Sequence, residues 1–372
     1  MSDYSPVGAR AHVSQGGRGA LAGSAVGEPE SVFAGDDAAL TRPVPIVAER
    51  RLGATGRAVF PFALGTARLA TLDELAAERI LHRFAVRGGD LYDVSDEDGS
   101  GRSQGLVGDW LATRRPSRAL TMLSPAVERD GGGSTGSERV IRAVDAALRR
   151  LRLERVGLLM LDLRAEAAVP LGELLGAADR LVTAGKVAHV GASVASGAAL
   201  LEARVLAGEG LPPIGAVRLG WGITDKATAS SEIRMVAAAQ ELALLPDATS
   251  ASLALASPSL PPKVLAGRGH GARLAQAVSA RIAKAEQERA SEVLVGRGRE
   301  RRIALALDRV SAELGVAPAT TQLAWLLTKR GVVAPIVRVT RPEQVDLLMD
   351  AAAVRLTRAH MLELDRAVET AR

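Results

Sequence analysis

No cysteine occurs anywhere in the 372 residues. Its absence excludes disulfides, thiolate metal sites and a cysteine nucleophile, and it suits a reducing compartment, so a cytoplasmic location is the expectation. Aromatic residues make up only 2% of the chain, too few for the stacking platforms that hold single-stranded nucleic acid. There are two tyrosines, Tyr4 and Tyr92, and five lysines, the first of them Lys186. Long apolar runs are missing too. No 18-residue stretch is free of charge, and the N-terminus lacks an apolar core with a cleavage-like site, so neither a membrane span nor a signal peptide is expected. No GxGxxG follows the first strand-like segment, which counts against an open dinucleotide-binding sheet.

What is present is 47% hydrophobic content and a near balance of 47 basic against 42 acidic residues, a net charge of +5. The basic residues are spread along the chain, so nucleic acid is not an expected partner. Residues 1–49 are rich in Gly, Ser, Ala and charge without sustained periodicity, and read as a flexible extension. Residues 50–372 read as one α/β domain.

In that domain strand-like and helix-like segments alternate. RLGATGRAVFPFALGTARL, from Arg51, reads as two short strands joined by a glycine turn and then a buried strand ending at Gly65-Thr66. Helical periodicity follows over 72–86, 103–115, 137–151 and 170–186, interleaved with strands over 89–96, 119–125, 155–163 and 187–193. Further strands are expected near 214–220, 252–258 and 334–340, with a charged helix-containing loop over 268–300. About eight such units predict closure into a (β/α)₈ TIM barrel. Gly131-Gly132-Gly133 follows no fitting strand and has no nearby lysine, so it reads as a loop and not a phosphate cradle.

Five segments, in order, resemble the aldo-keto reductase family. They are the entry RLGATG…FALGTA, GGDLYDVSDEDGSGRSQGLVGDWL (88–111), LVTAGKVAHVGAS (181–193), SAELGVAPATTQLAWLL (311–327) and RPEQVDLLMDA (341–351). The resemblance implies a TIM barrel with NADPH across its C-terminal mouth and reduction of a carbonyl by hydride transfer. It also implies a tetrad of Asp, Tyr, Lys and His. Tyrosine gives the proton, lysine paired with the aspartate lowers the tyrosine pKa, and histidine orients the carbonyl.

The sequence keeps only the first of these. Asp93 matches the family aspartate, but the tyrosine position is Asp98, the lysine position falls near Pro125 and the histidine position at Asp162. Tyr92 adjoins Asp93, so strand alternation is expected to turn it away from the mouth. Ionised carboxylates at 98 and 162 would oppose a developing oxyanion, whereas a crowded, protonated one could donate to it. The resemblance places cofactor contacts at Ser193, Trp221, Ser257, Arg338 and Gln344, with Ser193-Val194 replacing the usual Ser-Asn pair. Asp93, Asp96, Asp98 and Asp162 have no accompanying histidine and are not read as a metal site.

Two functional readings follow. One is a barrel that has lost ordinary NADPH-dependent reduction and binds a nucleotide, a small ligand or a protein. The other is an NADP-dependent oxidoreductase acting on aldehydes or ketones with Asp98 or Asp162 as its acid.

Overall fold

Eight short parallel strands close on themselves, as the alternation predicts. The computed structural model describes residues 49–95, 101–125, 136–163, 169–194, 196–223, 227–248 and 299–369. The proposed N-terminal extension lies almost wholly outside them, as do Gly131-Gly132-Gly133 and nearly all of the 268–300 loop. The barrel consists of β3 (Ala63–Gly65), β4 (Leu91–Asp93), β5 (Leu120–Leu123), β6 (Val156–Leu163), β7 (Val187–Val194), β8 (Ile214–Gly220), β9 (Ala243–Asp247) and β10 (Ile336–Arg338), with β10 returning to pair with β3.

Strand alternation sorts the side chains into two layers. Leu91, Leu120, Met122, Leu158, Met160, Ala216, Ala243, Leu245 and Ile336 pack inside the barrel. Their neighbours Tyr92, Leu123, Leu159, Val190, Val217, Leu244 and Val337 face out, into the layer shared with the helices. The base is closed by a hairpin, β1 (Arg50–Arg51) with β2 (Ala58–Val59), whose Leu52 and Val59 join the interior cluster. The hairpin turn needs glycine at Gly53, where φ is +51° and a Cβ would lie 2.2 Å from the Gly215 carbonyl oxygen.

Around the strands lie α1 (Glu74–Val86), α2 (Arg102–Arg114), α3 (Gly136–Leu151), α4 (Leu171–Thr183), α5 (Gly197–Gly208), α6 (Ala227–Ala239), α7 (Arg299–Leu314), α8 (Pro318–Leu327), α9 (Pro342–Ala353) and α10 (Arg358–Glu369). The first shows why these segments are helical. Asp73 caps it by accepting from the Ala76 amide at 2.8 Å, and Ala77, Ile80, Leu81 and Phe84 form its buried stripe. Helices α8 and α9 begin with proline, whose fixed φ suits a first turn.

One expected strand is misplaced. The seventh barrel strand is Ala243–Asp247, paired to both β8 and β10, so the barrel closes without 252–258, which lies outside the described residues. The alanine-rich text MVAAAQELALLPD hides the boundary. Only Glu241, held at a left-handed φ of 56°, breaks the helix from the strand.

Helix α2 meets the end of α3 through backbone. A Cβ on Gly108 would come within 2.4 Å of the Arg150 carbonyl oxygen, whereas one on Gly105 meets nothing within 4 Å. Gly108→Ala is therefore expected to cost about 1–3 kcal/mol, and Gly105→Ala to gain up to about 1 kcal/mol. Urea unfolding of both variants checks this, and equal midpoints would mean that the two helices are not so closely packed.

Candidate active site at the barrel mouth

The C-terminal ends of the strands bring four charged side chains together. Asp93 on β4, Arg218 on β8, Asp247 on β9 and Arg338 on β10 all belong to the inward-facing register. Arg218 lies 3.4 Å from Asp93 and 2.8 Å from Asp247, and Arg338 lies 2.6 Å from Asp247. The groups thus alternate in sign across the mouth: Asp93, Arg218, Asp247, Arg338. Asp93 is 2% exposed and the two arginines 11–12%, so each charge depends on its neighbours for the solvation it has lost.

Two hydroxyls complete the arrangement. Ser95 donates to Asp93 Oδ1, and its own Oγ accepts from the Ser124 amide at 3.1 Å. Arg218 Nη1 reaches Ser124 Oγ at 3.5 Å. Gly65 leaves room for the stem of Arg338, because a Cβ there would lie 2.8 Å from Arg338 Cγ.

The tetrad positions fall as follows. Asp93 is at the mouth, as expected. Tyr92 points outward, as alternation predicts. Its ring packs edge-on to Phe84 at 5.3 Å and against Trp110 at 5.4 Å, and burial, with help from Asp90, pushes its phenol pKa up. Asp162 lies on the inward register of β6, paired with Ser193, and is exposed. Pro125 needs correction. Leu123 faces the helices, so alternation gives the inward place to Ser124 and turns Pro125 away. Asp98 lies outside the described residues. Lys186 pairs with Asp145 just before β7, and Lys329 pairs with Asp365 and stacks on Trp325, so neither reaches the mouth. His189 is the third residue of strand β7, near the base, and His360 pairs with Glu313.

Three of the five cofactor positions, Arg338, Gln344 and Trp221, make contacts within the protein. The Arg338 guanidinium is spent on Asp247 through two hydrogen bonds. Gln344 is 2% exposed, and its amide oxygen accepts from the Thr340 and Arg341 amides to cap α9. Trp221 is 6% exposed, with the Arg234 guanidinium 4.5 Å from its ring centre, so it presents no open face for stacking. Ser193 is half-buried on the mouth register, and Ser257 lies outside the described residues. The described residues include no group of three or more potential metal ligands, and no helix among them is long and apolar enough to cross a membrane.

Arg218 and Asp247 are the charged mouth residues that sequence reasoning missed. The available signal was a single charge inside the apolar strand IGAVRLG, since an arginine on an inward strand position demands a buried partner.

A closed parallel eight-stranded sheet defines a (β/α)₈ barrel, an architecture in which active sites lie at the C-terminal mouth where these charged groups gather. The sequence model described as "Aldo/keto reductase family" matches residues 61–369. The chain belongs to the aldo/keto reductase family, whose members typically bind NADP(H).

The charge chain makes stability depend on pH. Burial raises the Asp247 pKa, but the hydrogen bond from Arg338 and the charges of Arg218 and Arg338 outweigh it and lower the pKa from 3.8 to about 2. A folded value below the unfolded one gives stabilisation that is complete above about pH 4 and lost as pH falls towards about 2. The shift corresponds to about 2 kcal/mol. Asp247→Asn is expected to lower stability at neutral pH by at least about that amount and to flatten the acid limb. Urea unfolding across this window checks it, and parallel acid limbs for parent and variant would refute it.

Proposed function

We propose that this chain acts by binding a small ligand at the barrel mouth and has left ordinary NADPH-dependent carbonyl reduction behind. The observation that carries the reading is that the cation beside Asp93 is Arg218, with no phenol or ammonium near it among the described residues. When bound, a nicotinamide cofactor supplies a hydride to a carbonyl carbon. The protein must then steady the growing negative charge on oxygen and deliver a proton.

Arg218 can do the first of these. A guanidinium donates strong hydrogen bonds to an oxyanion and can hold a carboxylate or carbonyl oxygen at the mouth. It cannot do the second, because it keeps its proton far above neutral pH. Loss of a positioned acid costs on the order of 10²- to 10⁴-fold in rate. The engagement of Arg338, Gln344 and Trp221 in internal contacts supports weak NADP(H) binding as well. A ligand offering a hydrogen-bond-accepting oxygen suits a mouth whose two arginines, already paired with carboxylates, keep 11–12% of their side-chain surface exposed.

Titration of the full-length protein with NADPH, followed by cofactor fluorescence, and an assay with a reactive aromatic aldehyde test the reading together. The expected result is no turnover above the buffer blank and binding no tighter than about 100 μM. Steady turnover that is abolished by Asp98→Ala or Asp162→Ala would overturn it and establish the alternative, an oxidoreductase whose acid is a carboxyl group.

A further inference from the structure

The opposite face of the barrel carries a pocket of a different character. An open cavity of about 400 Å³ lies between the C-terminus of α2, the first residues of β5, β6 and β7, and the hairpin at the base. Its charged and titratable lining is Arg57, Arg115, Arg155 and His189, and none of its lining residues is acidic. Leu111 and Leu153 contribute an apolar wall.

The three guanidiniums come from three separate places in the fold. Arg57 is steadied by donating to the Arg118 carbonyl oxygen at 3.0 Å. Arg115 ends α2 in a left-handed conformation, its amide bonding the Leu111 carbonyl at 2.9 Å and its Nε the Ala112 carbonyl at 3.4 Å, so it answers the negative end of that helix. Arg155 immediately precedes β6. The positive field is felt by His189, whose pKa is lowered by burial first and then by Arg155 and Arg57. No lining residue is acidic, and the carboxylate within electrostatic reach of Arg57, that of Asp90, is already paired with Arg118.

We propose that this pocket binds a small phosphate monoester, with the phosphate on Arg57, Arg115 and Arg155 and its organic body against Leu111 and Leu153. The site is independent of the mouth and of the reading given for it. A phosphate monoester carries about −1.5 to −2 charges and three strong acceptor oxygens, enough to engage several guanidiniums, which favour such planar, paired contacts. A carboxylate offers one charge and two oxygens, and leaves part of the cationic lining unanswered. The volume falls within the range of small-ligand pockets, and the apolar wall gives an esterified phosphate an advantage over the bare ion.

Isothermal titration calorimetry of the full-length protein with phenyl phosphate, and separately with inorganic phosphate, in a low-salt chloride buffer tests this. The expected result is one saturable site, tighter for phenyl phosphate than for inorganic phosphate. Arg57 and Arg155 are exposed, so the double variant R57Q/R155Q should fold normally and bind at least about tenfold more weakly. Arg83→Gln, an exposed arginine on α1, should bind like the parent. Absence of saturation up to about 10 mM, unchanged affinity in the double variant, an equal loss in Arg83→Gln, or inorganic phosphate binding as tightly as the ester would each overturn the proposal.

Discussion

The mouth of this barrel depends on the requirement that a charge withdrawn from water meet an opposite charge. Asp93 and Asp247 both project inward from strand ends, and Asp93 is almost wholly buried. An uncompensated buried carboxylate costs several kcal/mol, so two of them on one inner wall demand two cations. Arg218 and Arg338 supply these from strands that flank β9 on either side. Other local choices follow from that pairing. Gly65 must be small so that Arg338 can cross β3, and Ser95 satisfies the Asp93 oxygen atom Oδ1 while being positioned by the Ser124 amide.

Arginine meets the electrostatic demand as well as lysine would, but the two residues are not chemically equivalent. An ammonium beside a phenol tunes the phenol's acidity and takes part in moving its proton. A guanidinium beside a carboxylate fixes geometry and charge and moves no proton. The charge pairing at Asp93 is therefore met here by a cation that moves no proton. The helices and inner strands are indifferent to that exchange, because their packing is apolar and set by alternation. Fold and chemistry are separable in this architecture.

Much of the barrel could be read from local pattern. Helices α1 to α4 and the strands between them begin and end within a few residues of where periodicity put them, since each has a cap, a proline or a glycine at its ends. Tyr92 was assigned its outward direction by alternation alone. Other features were not legible, for distinct physical reasons. The seventh strand hid in an alanine-rich run because helix and strand there share the same apolar composition. Pro125 lies two residues beyond the outward-facing Leu123, and in a strand one residue is the difference between the barrel interior and the helix layer. The pairing of Arg218 with Asp93 and Asp247 spans residues far apart in sequence, and no local periodicity encodes it. Gln344 and Trp221 occupy family positions, but what they touch is decided by α9 and by Arg234.

The same residue type plays opposite parts at the two ends of the barrel. At the mouth each guanidinium faces a carboxylate, so the local field is nearly cancelled, and recognition there rests on directed hydrogen bonds over a short range. At the base Arg57, Arg115 and Arg155 share a lining with no carboxylate in it, and Arg155 and Arg57 add to burial in lowering the pKa of His189. An uncancelled field reaches out to about a Debye length, roughly 8–10 Å at moderate ionic strength, and it favours any anion before close contact is made. The net charge of +5 is thus a poor guide to where this molecule attracts anions. Pairing across the strands takes two arginines out of the reckoning at one face, and three others line one open cavity at the other.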